Sequence, residues 1–401
     1  MQISTDASTV RDICERTLRQ NWRQGAHQGV EFGYTCPSPT HYPWQWYWDS
    51  CFTAIAWRRF DRERSRRELS SLLAAQREDG FIGHTIFWNT PLNGARRFTY
   101  NVTSPSASMT STIQPPVLAW AWRIAVGDPR EVPGIVSQHQ WVAQHRDLDG
   151  DGLIWIIQPD ESGLDASPQF DVIWGSRAHG LPGFVLLVYR NRQLGFDLGR
   201  VVEAGGPVCC EVMTNVLHNL SRLALGLPSL TGTIIDRMYD EESALFWPLV
   251  RPEPRHRPAF TWSALSPLAL PDLPEEIGRR LVERHLLDPA CFWLPFPPPS
   301  VSANDPSFSL DDTVLPGVTR YWRGPTWINA AWLLWLGLVR LGYESEAAEL
   351  AGRLCATVEK VGLREYYHSY SGRGMGAVDF GWSSLALELL EPDPAAARSY
   401  L

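Results

Sequence analysis

The sequence is almost without lysine. Lys360 is the single one, and every other basic residue is arginine. No GxxxxGK[ST] phosphate loop can therefore be written, and a Schiff-base enzyme would rest on Lys360 alone, within the helical stretch AELAGRLCATVEKVG. The seven cysteines form no CxxC pair, which argues against a structural zinc site or a disulfide framework and fits a reducing compartment. No stretch reaches the roughly 18–20 apolar residues of a membrane span, and the polar start MQISTDASTVRDICERTL has no secretory apolar core. HExxH, GxSxG and Cys–His nucleophile patterns are missing as well. The 36 basic residues are outnumbered by 44 acidic ones, net −8, with no basic patch. Neither nucleic acid nor an anionic membrane is an expected partner. The expectation is a cytoplasmic protein that uses no cofactor and no metal; a homo-oligomer remains open.

What is abundant is tryptophan, 19 residues in 401. Most such rings pack cores, but several here stand beside carboxylates, and aromatic faces stack well on the C–H faces of sugars. Apolar residues recur at helical spacing near 6–24, 49–60, 65–78, 112–126, 134–146, 182–194, 211–226, 275–287, 325–341, 345–361 and 381–391. Alternating strand patterns are rare. The segments between helices, notably 79–110, 147–180, 289–324 and 362–380, are long and rich in Trp, Pro, Gly and acidic residues. Long loops recurring between helices point to function. The inferred fold is all-α, an (α/α)6 barrel or toroid formed by a single domain over residues 1–401, with its long loops making a pocket at one end.

Three segments carry candidate chemistry. DESGLDASPQFD (160–171) packs Asp160, Glu161, Asp165 and Asp171 into one loop, where crowding raises carboxyl pKa values and can keep one group protonated as an acid; the alternative is a solvated acidic loop. REYYHSYSGRGMG (364–376) sets Glu365 among aromatics before a Gly-rich turn, as a candidate base. YPWQWYWDSCF (42–52) places Asp49 at a helix start, either as its N-cap or as a grip on sugar hydroxyls. Two carboxylates from separate loops, flanked by aromatics in a helical toroid, suit glycoside cleavage. DLDGDG (147–152) matches half of a calcium loop, but position twelve is Gln158, so a tight turn is expected.

These segments resemble glycoside hydrolase family 63, and within it bacterial mannosylglycerate and glucosylglycerate hydrolases. The likeness runs in order through YPWQWYWDSCF, QREDGFIGH (76–84), STIQPP (111–116), RDLDGDGL (146–153), ESGLDASP (161–168), FWLPFPPPSVSANDP (292–306), YWRGPTWIN (321–329), EYYHSYSGRGMG and FGWSSL (380–385). The resemblance implies an inverting α-glycosidase for a small soluble glucoside or mannoside. In it Asp165 would be the acid and Glu365 the base. Tyr42, Trp46, Asp49, Gln114 and Glu161 would line or hold the sugar site, and Tyr321, Trp322, Arg323 and Trp327 would stand near the leaving group, with Arg177 as a further donor. The chain departs from the family at Ala166, Ala331 and His368-Ser369. It also has Asp379 where the glycerate hydrolases tend to carry Gln, which would repel a glycerate carboxylate. The alternatives are a hydrolase of a neutral or amino-bearing glycoside, a sugar epimerase resting on His84, His179 or His368, and a non-catalytic sugar-binding barrel.

Overall fold

A computed structural model of the chain describes residues 7–88, 94–103, 108–175, 181–311, 313–315, 318–319, 321–390 and 400. Among these, two kinds of helix alternate along the chain, and their sequences explain the difference. Tyr47–Trp57 and Ile328–Arg340 are apolar around nearly their whole circumference, with only Arg340 not buried. A helix of that kind must be surrounded by protein. Arg62–Ala74 begins at an Asp61 N-cap, whose side chain accepts from the amides of Glu63 and Arg64, and buries one face only. Glu344–Val361 likewise buries Ala347, Leu350, Ala351, Leu354 and Val358 and turns its charges outward.

The buried kind forms a closed ring of six. Tyr47–Trp57 touches Leu118–Ala125, which touches Val212–Ala224. Next come the 3-10 segment Trp262–Ala269, the helix Ile328–Arg340 and the segment 381–390, which returns to Tyr47–Trp57. Gly337 lets Ile328–Arg340 approach Trp262–Ala269, since a Cβ there would stand 2.5 Å from that of Leu268. Outer helices Ala7–Asn21, Arg62–Ala74, Pro133–Arg146, Thr231–Met238, Glu275–Leu281 and Glu344–Val361 alternate with the inner six. The fold is an (α/α)6 barrel.

Two barrel elements escape the helical periodicity. Trp262–Ala269 is buried throughout and carries Pro267, so it shows no one-sided stripe and cannot run as a regular α-helix. Thr231–Met238 is short and rich in Gly, Thr and Ile, poor helix formers. The expected helix near 6–24 ends at Asn21, where Trp22–His27 turns through Gln28-Gly29, both at positive φ, into a hairpin with Val30–Thr35. The stripe near 112–126 becomes helical only at Leu118, beyond Pro115-Pro116.

Loop length is polarised. Connections from an inner to the next outer helix are short: 58–61, 126–132, 225–230, 270–274 and 341–343. Those from an outer helix to the next inner one are long, and they all gather at the N-terminal ends of the inner ring.

The ring is closed by charge as well as by packing. Glu388, 2% exposed, accepts from Arg58 Nη1 at 2.5 Å and Arg59 Nε at 2.6 Å, joining the first and last inner elements. Burial works to raise the Glu388 pKa, but the two guanidiniums outweigh it and hold the carboxyl below its ordinary range. Its contribution to stability is therefore present above the ordinary glutamate pKa and is lost as the pH falls through the depressed folded value. Glu388→Ala strands two guanidiniums, and a loss of about 3–5 kcal/mol is expected in urea unfolding at neutral pH. The difference from wild type should shrink in acid.

Candidate active site

A cavity of about 210 Å³ opens at the N-terminal ends of the inner helices. Its described wall contains Asp49, Asp160, Asp165 and Glu365, the aromatics Tyr42, Trp46, Trp48, Tyr321, Phe380 and Trp382, and Gln114 and His84. All but Trp48, Asp49 and Trp382, which lie in the first turns of inner elements, come from the long outer-to-inner connections.

Asp49 is not the N-cap of its helix. Trp46 holds that place without a side-chain bond, and Asp49 is the third helical residue, 3% exposed, on the cavity wall. Burial, then the nearby Glu365, pushes its carboxyl well above the usual range, while the helix N-terminus works the other way. Gln114 accepts the Trp48 amide at 3.1 Å and so caps the same helix from a different loop. Behind it the buried Glu68 binds Ser50 Oγ at 2.7 Å and the Thr35 amide at 2.7 Å, and Gln45 reaches Ser50 Oγ at 3.1 Å. This network fixes the turn that carries Trp46 and Asp49.

Glu365 lies in the hairpin of Arg364–Tyr367 with Gly374–Val378, where the register slips between Arg364 and Tyr366. A bulge at that residue re-aims its side chain, here into the cavity. Its carboxylate accepts from the Ala377 amide at 2.9 Å, from the Tyr321 hydroxyl and from Tyr42. Burial raises its pKa to about 8 against these donors. Ser369, one of the departures, fastens the hairpin by donating to Gly324 O at 2.6 Å.

Asp165 follows a sharp turn at Gly163, at φ +72, where a Cβ would sit 2.4 Å from the Trp48 ring. Its carboxyl is exposed in the cavity, and desolvation by the surrounding walls pushes its pKa up to about 6. No hydrogen bond to this carboxyl comes from the described residues. Asp160, five residues earlier, is the opposite case: Gln158 Nε2 donates at 2.8 Å and Asn101 Nδ2 at 2.9 Å. His84 bonds Thr112 Oγ1 at 2.8 Å and stacks on Trp46; burial lowers its pKa to about 3, so it is neutral.

Tyr42, Trp46, Asp49, Gln114, Asp165, Tyr321 and Glu365 thus meet in one cavity. Five expected binding residues do not reach its wall. Glu161 is wholly buried and accepts Arg146 Nη2 at 2.6 Å, Arg146 Nη1 at 2.9 Å and the amides of Ile113 and Ile157. Trp322 and Trp327 stack at 3.8 Å between ring centres, fully buried, and back Tyr321 and Trp382 from behind. Arg323 is paired with Asp171 at 2.6 Å. Asp379 is also off the wall: it occupies a left-handed turn at φ 51, and its carbonyl accepts from Asn21. Arg177 lies outside the described residues. In the 147–152 segment Asp147 accepts the amides of Gly150 and Gly152, Arg237 and Arg251 pair with Asp149, and Arg237 pairs with Asp151. Asp160, His84, Trp48 and Trp382 are wall residues that motif reading did not single out as such, although each stands in or beside a matched segment.

An (α/α)6 barrel with paired carboxyls in an aromatic cavity at its loop end defines the class of helical-toroid glycoside hydrolases. The family model for mannosylglycerate hydrolase MGH1-like glycoside hydrolase domains matches residues 42–205 and 226–383, and the chain belongs to that family. It is 28% identical to a mannosylglycerate hydrolase of Rubrobacter radiotolerans, over 88% of this chain and 92% of that one. It is 25% identical to a glucosylglycerate hydrolase of Mycolicibacterium hassiacum, over 88% and 93%. The structure of a family 63 mannosylglycerate hydrolase from Thermus thermophilus, in complex with Tris and D-glycerate, superposes with a TM-score of 0.75 at 25% identity. That match covers 95% of this chain and 99% of the other. The protein is a glycoside hydrolase.

Ala166, next to Asp165, has φ 59, a conformation that costs an L-residue about 1–2 kcal/mol and that glycine adopts without that cost. Ala166→Gly should therefore leave the unfolding midpoint unchanged or raise it. Ala331→Gly, at the buried fourth residue of an inner helix, should cost about 1 kcal/mol or more.

Proposed function

We propose that the protein hydrolyses a small α-mannoside or α-glucoside of the mannosylglycerate and glucosylglycerate type, by inversion, with Asp165 as general acid and Glu365 as general base. One observation carries the assignment: two carboxyls from separate loops share the cavity but have opposite hydrogen-bond surroundings. Three donors favour the ionised form of Glu365. Asp165 has none from the described residues, and burial raises both carboxyls, Asp165 to about 6 and Glu365 to about 8. Asp165 gives its proton to the glycosidic oxygen as the C–O bond breaks. Glu365 takes a proton from the water whose oxygen bonds to the anomeric carbon from the other face. Tyr321 and Tyr42 hold the base, and the aromatic wall offers faces to the sugar. Seven buried free thiols support a reducing, cytoplasmic setting.

The leaving group has a second reading. Four carboxyls and no arginine or lysine stand among the described wall residues. That charge balance favours a neutral leaving group, while the relatives' names favour glycerate. Competition between glucosylglycerate and glucosylglycerol, which differ by one carboxylate, decides between them. Preference for the neutral compound would leave the glycosidase reading intact and remove the glycerate one.

Asp165→Asn and Glu365→Gln should each lower kcat by about 10²–10⁴-fold with folding intact. Proton NMR of the fresh product should show the β-anomer; an α-product would exclude inversion. Activity should follow a bell-shaped pH profile between apparent pKa values of about 6 and about 8, the values to which burial raises Asp165 and Glu365. Both values belong to the coupled pair rather than to either residue.

A further inference from the structure

The hairpin that carries Glu365 departs from a regular ladder at that residue. Arg364 pairs with Val378 and Tyr366 with Met375, so Glu365 faces two residues, Gly376 and Ala377. Two residues against one make a β-bulge, and Gly376, at φ 65, takes the left-handed conformation that the first residue of such a bulge adopts. The Ala377 amide, released from the ladder, donates to Glu365 Oε2 at 2.9 Å. Gly376 is exposed, so no core around it calls for a small residue. What limits the space is the hairpin's own side chains. A Cβ on Gly376 would stand 2.6 Å from Glu365 Oε2, 2.8 Å from Glu365 Cβ and 2.6 Å from Tyr366 Cε1. Tyr366 is buried and packs on Tyr321 and Trp327, with ring centres at 5.4 and 4.6 Å, so it has little room to give way.

The partners of the Glu365 carboxyl differ in kind. Tyr321 and Tyr42 bring hydroxyls, which donate or accept and so serve a carboxylate and a carboxylic acid alike. The Ala377 amide can only donate, so it favours the ionised form. Burial raises the carboxyl to about 8, and the Ala377 amide is the first of the groups that work against it. We propose that Gly376 and Ala377 are positioning residues for the base: the bare Cα of Gly376 makes the room in which the Glu365 carboxylate lies, and the Ala377 amide holds it ionised, ready to take a proton from water. The inference rests on the reading of Glu365 as the base. Tyr42, Asp49, Asp165 and Tyr321 also face this carboxyl, and none of them lies on the bulge. Arg364 Nη2 donates to Gly376 O at 3.3 Å on the exposed side of the hairpin. A substitution at Gly376 therefore changes the amide contact and leaves the charged neighbours in place.

The test is the pH profile of kcat/KM for Gly376→Ala on an α-glycosyl fluoride, together with a crystal structure of the variant. Fluoride leaves without a proton, so the acid drops out of this profile and its rising limb follows ionisation of the base. In Gly376→Ala the Glu365 carboxylate should be found turned off the Ala377 amide. The rising limb should move to higher pH by about one unit, because a donor to the ionised form is lost, and kcat should fall by about 10–100-fold. Gly376→Asn brings the same Cβ on a residue that tolerates the left-handed backbone better than alanine. It should behave alike, and it covers the case in which Gly376→Ala does not fold. Gly362→Ala is the control for backbone strain: Gly362 has φ 74 and open space where a Cβ would stand, so this variant should lose stability and keep the limb. A carboxylate still on the amide in both Gly376 variants, or a limb that moves equally in Gly362→Ala, overturns the proposal. A carboxylate turned off the amide with an unmoved limb means that Glu365 is not the base, and the fault then lies in that assignment rather than in the geometry of the bulge.

Discussion

The buried pair of Glu161 and Arg146 sets the frame in which everything at the cavity is placed. Arg146 ends an outer helix, and Glu161 opens the loop that carries Asp165. Besides both guanidinium nitrogens, Glu161 accepts the amide of Ile113, next to Gln114, and the amide of Ile157, which precedes Asp160. Three chain segments thus converge on one carboxylate. Such a pair adds little net stability over an apolar substitute, but it leaves few other arrangements open to the segments it joins, because removing either partner abandons a buried charge. Its place is structural even though it lies within the acidic loop.

The division of labour among the other carboxyls follows from donors rather than from distance to solvent. Glu68 and Glu211 accept several bonds and organise loops; Glu211 takes Thr214 N at 2.6 Å at the start of an inner helix. Glu365 and Asp160 are supplied with donors and remain on the wall. Asp165 opens to the cavity and takes no hydrogen bond from the described residues. A cavity with this many carboxyls would repel itself if all were ionised, so the pattern of N–H and O–H groups decides which protonation state is populated.

Much of this was legible in the sequence. Helical spacing and recurring long loops pointed to the toroid, and the ordered motifs located the wall segments. Local patterns failed where the determining partner is far away in sequence. Trp262–Ala269 has no stripe because all its sides are buried. Glu161 and Asp165 are four residues apart in one acidic string, and only the position of Arg146 tells the buried pair from the wall carboxyl. Trp322, Arg323 and Trp327 sit in a motif beside Tyr321, yet only Tyr321 turns toward the cavity, because the two indoles stack on each other and the guanidinium finds Asp171. Asp379 is read from sequence as a side chain in a subsite, whereas its position is set by a left-handed turn.

The ion pairs from Arg58 and Arg59 to Glu388 span 330 and 329 residues of sequence. During synthesis on a ribosome, at roughly 5–20 residues per second, the first inner helix waits tens of seconds for the element that closes the circle. Glu365, Phe380 and Trp382 emerge in that same final stretch. The nascent polypeptide therefore carries an open arc with apolar inner faces and half a sugar site for most of its translation. Catalytic competence and completion of the barrel arrive together, and the interval before them is when a chaperone has most apolar surface to shield.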